Sequence, residues 1–367
     1  MPDKMKIGMI GVGQIGKHHV ENYRNIPDAE IVAIADLNLD EAQRVADTLG
    51  VKRVFSDFRD LLAIDEIDAV DVCLHNNFHA PVSIAAMEAG KNVYCEKPLA
   101  GSYADALAML AARDRTGRKL LMQCYNVFSM DTKAARRLID QGHLGDIYYA
   151  KSSGYRRRGR PFVDGYGTAS FVQKSVAAGG ALYDIGIYHI VQILYLLGRP
   201  DVLTISGATH QEIAMYEDRR KTSGYDVEEL GLGFVRLGGG ISFFLEESWA
   251  INLGGTDGSK IAGSKGGLTL EPFTYHTTLA DLEMNGSFDL GAADFRWHAC
   301  EPDFGAYDSP QHHWIAVLQG RVEQIDTAAL GADMMCIAEG IYLSEKLGRE
   351  VTADEVAAAS VSTAVTL

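Results

Sequence analysis

The strongest constraint on the fold is a glycine-rich segment near the start of the chain, GVGQIG at positions 11–16. It follows a short apolar run, KIGMI (6–10), and precedes a segment of helical character that ends near Pro27. A second apolar run, IVAIA (31–35), comes next. A glycine fingerprint between a buried strand and a helix is typical of the βαβ unit that binds a dinucleotide. The N-terminus is therefore predicted to form a doubly wound nucleotide-binding fold.

Each glycine of this fingerprint has its own physical reason. Gly11 allows the tight turn, Gly13 lets the backbone approach the pyrophosphate, and Gly16 lets the helix pack closely on the strand. The free amides at the helix N-terminus face the anion. We expect the cofactor to contact the whole turn, that is Gly11, Gly13, Gln14, Ile15 and Gly16.

Asp36 follows Gly16 by about twenty residues, at the end of the second predicted strand. A carboxylate there accepts hydrogen bonds from the adenosine ribose and repels a 2'-phosphate. Leu37 and Asn38 supply no arginine that would neutralise such a phosphate. The sequence therefore predicts NAD, with NADP disfavoured. The alternative is that Asp36 is only the N-cap of the next helix.

The order of the predicted strands and helices divides the chain into two domains. Up to Gln123, strands and helices alternate as in a doubly wound parallel sheet, with one helix predicted from Pro81 to Ala89. Beyond that point, long β-rich segments joined by glycine-rich turns such as 238–240 indicate a mixed or antiparallel sheet. We predict an α/β protein with a Rossmann domain at 1–123 and an α/β substrate domain with a large, mostly antiparallel sheet at 124–367.

Charge and composition exclude several classes of protein. The formal net charge of -15 at pH 7 argues against nucleic-acid and anionic membrane partners. No apolar stretch has the length of a membrane span and the N-terminus has no hydrophobic signal core, so we expect a cytoplasmic protein. The five cysteines are widely spaced in mostly apolar runs, which favours buried thiols. His312 and His313 have no third ligand at a metal-like spacing, and we predict no metal.

A second motif, Glu96-Lys97-Pro98, closes the predicted nucleotide-binding half. Lys97 follows a buried strand, and the proline after it favours extended backbone, so we expect its side chain at the C-terminal edge of the sheet. A lone lysine is usually a solvated charge, but this position makes Lys97 a candidate for catalysis and substrate binding. Glu96 is expected to have a structural role or to contact the cofactor.

A third element, GGALYDIGIYH at 179–189, supplies the remaining catalytic candidates. If it is an α-helix, Asp184 and Tyr188 share a face and His189 lies one step round. Oxidising an alcohol carbon requires a base that accepts the hydroxyl proton. Tyr188 would need the positive charge of Lys97 beside it, whereas an imidazole suits the task without help. We favour Tyr188 over His189 as acceptor and expect Asp184 to orient the substrate hydroxyl or hold the lysine.

At this point the chain resembles the glucose-fructose oxidoreductase, inositol dehydrogenase and MocA family of two-domain dehydrogenases. Besides the glycine fingerprint, the shared features are Asn76 and His79, AGKNV (89–93) before Glu96-Lys97-Pro98, LGDI (144–147), and the segment from 179 to 184. The resemblance implies reversible hydride transfer between NAD and a secondary alcohol of a sugar or cyclitol, with Lys97 and Asp184 near the reacting carbon. It also implies that Asn76 lies at the cofactor, and that the protein is a homodimer or homotetramer.

The chain departs from the family pattern in two places. Most members have a histidine four residues after the aspartate, where this chain has Tyr188, as in the branch that includes glucose-fructose oxidoreductase and dihydrodiol dehydrogenases. The identity of the base is therefore open. Leu74-His75 stands where the family usually has Thr-Pro before Asn76. His79 is expected either to line the nicotinamide pocket or to cap a helix beginning near Pro81.

An arginine-rich run, RRRGR at 156–160, contrasts with the acidic background. The guanidinium fork suits a carboxylate or phosphate, so Arg156 and Arg158 are candidate substrate-binding residues. The alternative is a solvated or intersubunit charge patch. Tyr166 is a further candidate because an aromatic ring stacks on a sugar.

These observations together predict an NAD-dependent dehydrogenase of a sugar, sugar derivative or cyclitol. The alternatives within the same fold are a dihydrodiol-type dehydrogenase and an NAD-requiring glycosidase. A non-catalytic dinucleotide sensor is the alternative from another class. It is disfavoured because a sensor has no need of Lys97, Asp184 and two candidate bases.

Overall fold

The computed structural model describes residues 4–367, which form two compact units. Unit 1 consists of the chain up to Gln123 together with Pro302–Ala329 and Ser362–Leu367, and unit 2 consists of Cys124–Glu301 and Leu330–Val361.

Unit 1 contains a six-stranded parallel sheet in the order β3-β2-β1-β4-β5-β6, which confirms the predicted doubly wound fold. Its strands are Met5–Ile10 (β1), Ala29–Ala35 (β2), Val54–Phe55 (β3), Ala69–Val72 (β4), Asn92–Cys95 (β5) and Leu120–Met122 (β6). The intervening helices are Gln14–Arg24 (α1), Leu39–Leu49 (α2), Phe58–Leu62 (α3), Asn76–Glu88 (α4) and Tyr103–Thr116 (α5).

Helix α4 begins at Asn76, five residues before the proline at which the sequence predicted its start. Pro81 has no amide hydrogen to donate to the Asn77 carbonyl one turn earlier. The Val365 N–H, from the end of the chain, donates to that carbonyl at 3.1 Å instead. A partner distant in sequence therefore allows the helix to run through the proline.

Unit 2 contains a nine-stranded sheet in the order β14-β13-β12-β11-β7-β10-β9-β8-β15, antiparallel except for the parallel pair of β7 and β10. The strands are Ile147–Tyr155 (β7), Val202–His210 (β8), Leu230–Leu237 (β9), Ile241–Ser248 (β10), Lys260–Gly263 (β11), Gly267–Thr269 (β12), Thr274–Leu279 (β13), Leu282–Gly286 (β14) and Val351–Thr352 (β15). The mostly antiparallel second sheet is confirmed.

The remaining helices follow the chain. They are Met130–Asp140 (α6), Lys174–Ala177 (α7), Ile187–Leu196 (α8), Glu217–Ser223 (α9), Leu290–Cys300 (α10), Pro310–Leu318 (α11), Thr327–Leu347 (α12) and Ala353–Ala359 (α13). The helical stretch Lys174–Leu196 is long and apolar enough to cross a membrane, but 72% of its apolar 18-residue window is buried inside the protein, as in the core helix of a globular fold.

Two C-terminal segments that the sequence assigned to the second domain, Pro302–Ala329 and Ser362–Leu367, belong to unit 1. Trp314 and Ile315 of α11 are buried in one cluster with Ile7 and Ile34 of the parallel sheet. The Thr327 hydroxyl donates to the carbonyl of Met122 at the end of β6, at 2.6 Å. The burial of α11 and the hydrogen bond to the end of β6 hold residues 302–329 in unit 1. Both contacts are made with residues distant in sequence, so no local pattern predicts them.

The cysteines form no disulfide among residues 4–367. Cys95, Cys124 and Cys336 are buried and Cys73 is half-buried, as expected from their apolar surroundings. Cys300 is exposed because it ends α10, a helix with no buried residue.

Candidate active site

The glycine turn between β1 and α1 has the shape of a dinucleotide cradle. Gly11 has φ +90, and a Cβ on it would lie 2.3 Å from the Cys73 carbonyl oxygen. A Cβ on Gly16 would lie 2.1 Å from the Gly11 carbonyl oxygen. Gly13, in contrast, has no described atom within 4 Å of its Cβ position. Backbone packing thus requires the outer glycines, and the middle one leaves open space for a ligand.

The first amides of α1 are available to that ligand. Within the described chain, its N-cap Gly13 makes no side-chain capping bond and its first turn has no acidic residue. Gly13, Gln14 and Ile15 are exposed. Uncapped N–H groups at a helix N-terminus bind an anion, so these residues fit the pyrophosphate of NAD.

Asp36 is held rigidly at the end of β2. Its Oδ2 accepts the Val12 N–H and its Oδ1 accepts the Asn38 N–H, both at 2.8 Å. The N-cap of α2 is Asn38, whose side chain accepts from Glu41, so the alternative of Asp36 as that cap is wrong. Each carboxylate oxygen retains a second acceptor site, which suits the ribose hydroxyls of NAD.

Behind the turn lies a buried charge network that the sequence did not predict. His19 of α1 lies with Nδ1 2.9 Å from Asp71 Oδ2 and with Nε2 2.9 Å from Glu96 Oε1. The second oxygen of Glu96 accepts the backbone N–H of Lys97 at 2.7 Å. His19, Asp71 and Glu96 are all buried. The network therefore fixes the backbone from which the Lys97 side chain extends, and Glu96 has the structural role that the sequence allowed.

Protonation suits this network. Burial lowers the pKa of His19, but the charges and hydrogen bonds of Asp71 and Cys73 together outweigh it and raise that pKa well above its usual value. Burial raises the pKa of Glu96, but His19 and Lys97 outweigh it and lower that pKa. The donor atoms of His19, Asp71 and Cys73 also lie within 4.8 Å of one another. Cys73 Sγ lies 3.3 Å from His19 Nδ1, so the thiol belongs to the same hydrogen-bonded network.

His79 and Asn76 lie on α4, after β4. Asn76 is the first helical residue and is half-buried. His79 lies inside the helix and is fully buried, with Nδ1 2.7 Å from the Pro98 carbonyl and Nε2 3.0 Å from the Leu74 carbonyl. His79 is therefore no helix cap; it joins α4 to the loop after Lys97. Contact of either residue with the cofactor stays a prediction.

In unit 2, the glycine pair Gly179-Gly180 begins the helical segment that carries the other candidates. Glu228 is buried and accepts the N–H groups of Gly180 and Leu182 at 2.9 and 3.0 Å. The Tyr342 hydroxyl donates to the same carboxylate at 2.8 Å. A Cβ on Gly180 would lie 1.9 Å from the Glu228 carbonyl oxygen, so only glycine allows this close approach.

The segment Leu182–Gly186 is a π-helical turn, and α8 follows it directly. The condition under which Asp184 and Tyr188 would share a face, a regular α-helix, is therefore not met here. A π turn closes hydrogen bonds over five residues instead of four, so the four-residue spacing of Asp184 and Tyr188 no longer sets their relation. Both Tyr188 and His189 line one cavity of ≈ 840 Å³ within unit 2.

That cavity is polar and holds charges of both signs. Arg156 and Glu271 line it together with Tyr125, Asn126 and Tyr155. Asp184 lies beside Arg156, with Oδ2 at 3.5 Å from Nη1, and accepts the indole N–H of Trp249 at 2.9 Å. The aspartate is thus oriented by a buried tryptophan and an arginine of the cavity wall.

The other substrate-binding candidates lie in the loop after β7. Tyr166 donates its hydroxyl to the Gly159 carbonyl at 2.8 Å and accepts from Arg156. Arg158 is half exposed and lies over the Tyr216 ring, with Asp164 at 3.4 Å. Arg160, fully buried, pairs with Asp164 and Glu229 and is structural. Of the arginine run, Arg156 lines the cavity.

His189 has a partner that sequence reasoning missed. Its Nδ1 lies 3.0 Å from Oε2 of Glu247, a fully buried residue of β10. The signal was present: period two along β10 places Glu247 on the same inward face as Phe243 and Leu245, both buried. A carboxylate on a buried strand face needs a partner, so its position in the sequence indicates a buried polar site.

Comparisons with known proteins agree with this architecture. The model described as "Oxidoreductase family, NAD-binding Rossmann fold" matches residues 5–124, and the "GFO/IDH/MocA C-terminal domain" matches residues 132–269. The D-glucoside 3-dehydrogenase of Escherichia coli (strain K12) is 32% identical over 355 residues, 95% of this chain and 97% of the relative. The myo-inositol 2-dehydrogenase of Thermotoga maritima is 30% identical over 194 residues, 53% of this chain and 55% of that relative.

Solved structures share the fold. A levoglucosan dehydrogenase, solved with NADH and levoglucosan, aligns with a TM-score of 0.76 and 22% identity over 96% of this chain and 100% of that one. At such identity the likeness is one of fold. The family models and the full-length relative carry the assignment further: this chain belongs to the Gfo/Idh/MocA family and is an NAD-binding oxidoreductase, a dehydrogenase.

Proposed function

We propose that this enzyme transfers a hydride reversibly between NAD and a secondary alcohol of a sugar, sugar derivative or cyclitol. The observation that carries the proposal is the cavity of unit 2, where two candidate bases, Tyr188 and His189, stand among polar groups. A wall of hydroxyl, amide and charged side chains suits a polyhydroxylated ring better than an apolar substrate. The relative that aligns along nearly the whole chain is a D-glucoside 3-dehydrogenase.

The chemistry is assigned to a few side chains in each unit. Bound NAD supplies the hydride acceptor. In unit 1, Lys97 stabilises the developing alkoxide with its positive charge. In unit 2, Tyr188 or His189 accepts the hydroxyl proton and Asp184 orients the hydroxyl. Arg156, Arg158 and Tyr166 are proposed to contact the rest of the sugar.

We also propose that the enzyme is a cytoplasmic homodimer or homotetramer without nucleic-acid or membrane partners. The net charge of -15 supports the exclusion of anionic polymers and surfaces. On the unit 2 sheet, the exposed Phe244 lies beside the rings of Phe234 and Tyr149, and this aromatic face supports self-association.

A substrate screen tests the proposed function. Purified enzyme is incubated with NAD and a panel of glucosides, free sugars, inositols and a trans-dihydrodiol, and reduced cofactor is followed by absorbance. We expect turnover with at least one sugar or cyclitol and none with the double variant Tyr188→Phe/His189→Ala. Oxidation of the dihydrodiol alone, or equal activity of the double variant, would contradict the proposal.

A further inference from the structure

His189 and Glu247 form a pair in which only one member reaches the cavity. The His189 side chain is 21% exposed and lines the cavity, whereas the Glu247 side chain is 0% exposed. The Nδ1 atom of the ring lies 3.0 Å from Glu247 Oε2. The other carboxylate oxygen, Oε1, accepts the hydroxyl of Ser152 on the neighbouring strand β7.

Two glycines create the space for this pair. Gly154 of β7 lies opposite Glu247 in the register of the two strands. A Cβ on Gly154 would lie 2.1 Å from Glu247 Oε2 and 2.7 Å from His189 Nδ1. A Cβ on Gly186, in the π turn, would lie 3.1 Å from Glu247 Cγ. The backbone on both sides is therefore shaped around the carboxylate and the imidazole.

The pairing decides which nitrogen of His189 is available. A carboxylate accepts but does not donate, so Nδ1 must carry the hydrogen. In the neutral ring Nε2 then keeps its lone pair and is the acceptor. When Nε2 takes a proton, the imidazolium that forms lies against the negative charge of Glu247. This is the logic by which a buried carboxylate orients a catalytic histidine.

We propose that Glu247 is a positioning residue that holds His189 as the base for alcohol oxidation, an inference that rests on the proposed function. The substrate O–H bond breaks and its proton moves to Nε2 of His189. The O–H electron pair forms the carbonyl as the hydride leaves the same carbon for NAD. The imidazolium then releases its proton to water in the cavity. In the reverse direction His189 donates that proton to the alkoxide.

The charged groups around His189 set the direction of its titration. Burial and the positive charge of Arg156 lower the pKa of His189. The carboxylates of Glu247 and Glu271 raise it by more, so the pKa is raised overall. The base must be neutral, so oxidation should increase as pH rises through this raised pKa. Removing the Glu247 charge should move the acid limb of the pH profile to lower pH.

Kinetics with a substrate from the screen give the first test. Glu247→Gln should lower kcat about 10²-fold, the lower end of the range for general-base catalysis, and shift the acid limb of kcat/KM to lower pH. Ser152→Ala is the matched control, because it removes a hydrogen bond from the same carboxylate but keeps its charge; its acid limb should stay in place. Glu247→Asp should recover part of the loss. A Tyr188→Phe variant that is inactive beside a fully active His189→Asn variant would overturn the proposal.

A titration gives a second test that needs no substrate. In protein labelled with ¹⁵N-histidine, the His189 resonances are assigned from their loss in His189→Asn and followed against pH. The pKa of His189 should fall in Glu247→Gln and in Gly154→Ala, whose methyl group displaces the pair. An unchanged pKa in a folded Glu247→Gln protein would overturn the inference. Failure of the substrate screen, in contrast, would contradict the proposed function. The titration would still decide whether Glu247 controls the protonation of His189.

Discussion

Lys97 depends on the residue before it. The Glu96 carboxylate binds the Lys97 amide with one oxygen and His19 with the other, so the backbone at the lysine is fixed by a buried charge network. The lysine side chain is half-buried, which strengthens its electrostatic effect relative to a solvated charge. These features support a catalytic role for the ammonium group rather than a solvated surface charge.

The first prediction concerns this lysine. Lys97→Ala should reduce turnover by roughly two to four powers of ten, the range for a positioned proton-transfer or charge-stabilising group. Binding of NAD should persist because the glycine turn and Asp36 are untouched. Lys119→Ala, at an exposed lysine of the same unit, is the control and should be fully active. Turnover of the Lys97 variant within about a factor of three of the wild type would show that the lysine is structural.

The second prediction concerns cofactor choice. In Asp36→Ser/Leu37→Arg, the carboxylate that repels a 2'-phosphate is gone, and an arginine stands at a position that is 89% exposed. The ratio of kcat/KM for NADP to that for NAD should rise at least about 10-fold, or about 1.4 kcal/mol. A wild-type enzyme that already prefers NADP would refute the role given to Asp36. Leu37→Arg alone separates the added charge from the lost repulsion.

Residues whose role is set by local backbone could be predicted from the sequence. Gly11, Gly16 and Asp36 belong to one short unit whose geometry is the same wherever it occurs. The pairing of Glu247 with His189 and that of His19 with Asp71 could not be predicted, because the partners lie 58 and 52 residues apart along the chain. Only the fold brings such charges together.

At the scale of elements, the π turn Leu182–Gly186 is where the sequence pattern misleads. The segment is apolar and helical in character, and nothing local distinguishes one extra residue in a turn. The structure shows what accompanies it: Glu228 fixes the first amides, and the Gly186 backbone lies against Glu247. The sequence predicted the helix and its candidates, but the geometry of its first turn depends on these distant carboxylates.

The third prediction concerns the link between α1, β4 and β5. His19→Gln leaves Asp71 and Glu96 without their buried cation, which should lower the free energy of unfolding by about 3 kcal/mol. His18→Gln, at the exposed neighbouring histidine, is the matched control and should change it little. Chemical unfolding of the two variants beside the wild type gives the comparison. Equal stability of the two variants would mean that the network contributes nothing.

The same network predicts a pH signature. The pKa of His19 is raised in the fold, so its contribution to stability is fully present below the unfolded value of about 6.5 and is lost as pH rises through the raised pKa. The pKa of Glu96 is lowered, so its contribution is present above about 4.5 and is lost as pH falls through the lowered pKa. The stability difference between wild type and His19→Gln should therefore be largest between these limits and decline on both sides.

At the scale of the molecule, the sequence predicted one parallel sheet and one mostly antiparallel sheet. It did not predict which unit each C-terminal segment belongs to. Residues 302–329 join unit 1 through the burial of α11, and Val365 completes the hydrogen bonding of α4. The sequence of an apolar helix such as α11 does not show which hydrophobic core the helix packs into. Assignment of a segment to a unit depends on long-range packing, which no local pattern encodes.

One face of the unit 2 sheet remains open and aromatic. On β10, Phe243 and Leu245 are buried on the inner face, whereas Phe244 between them is 43% exposed. Its ring lies 4.8 Å from that of Phe234 on β9 and 5.9 Å from that of Tyr149 on β7. Adjacent aromatics across three neighbouring strands form an apolar surface of the kind that a second copy of the chain covers.

The last prediction is that this aromatic face is the subunit interface. Phe244→Glu places a charge at the centre of the three rings, where burial against a symmetric partner would bring two such charges together. We expect sedimentation velocity to show an oligomer for the wild type and a monomer for this variant at the same concentration. Leu107→Glu, which changes a residue of α5 that is 38% exposed, should leave the oligomer intact. A wild type that is monomeric across a wide concentration range, or a Phe244→Glu protein that stays oligomeric, would contradict the assignment of the interface to this face.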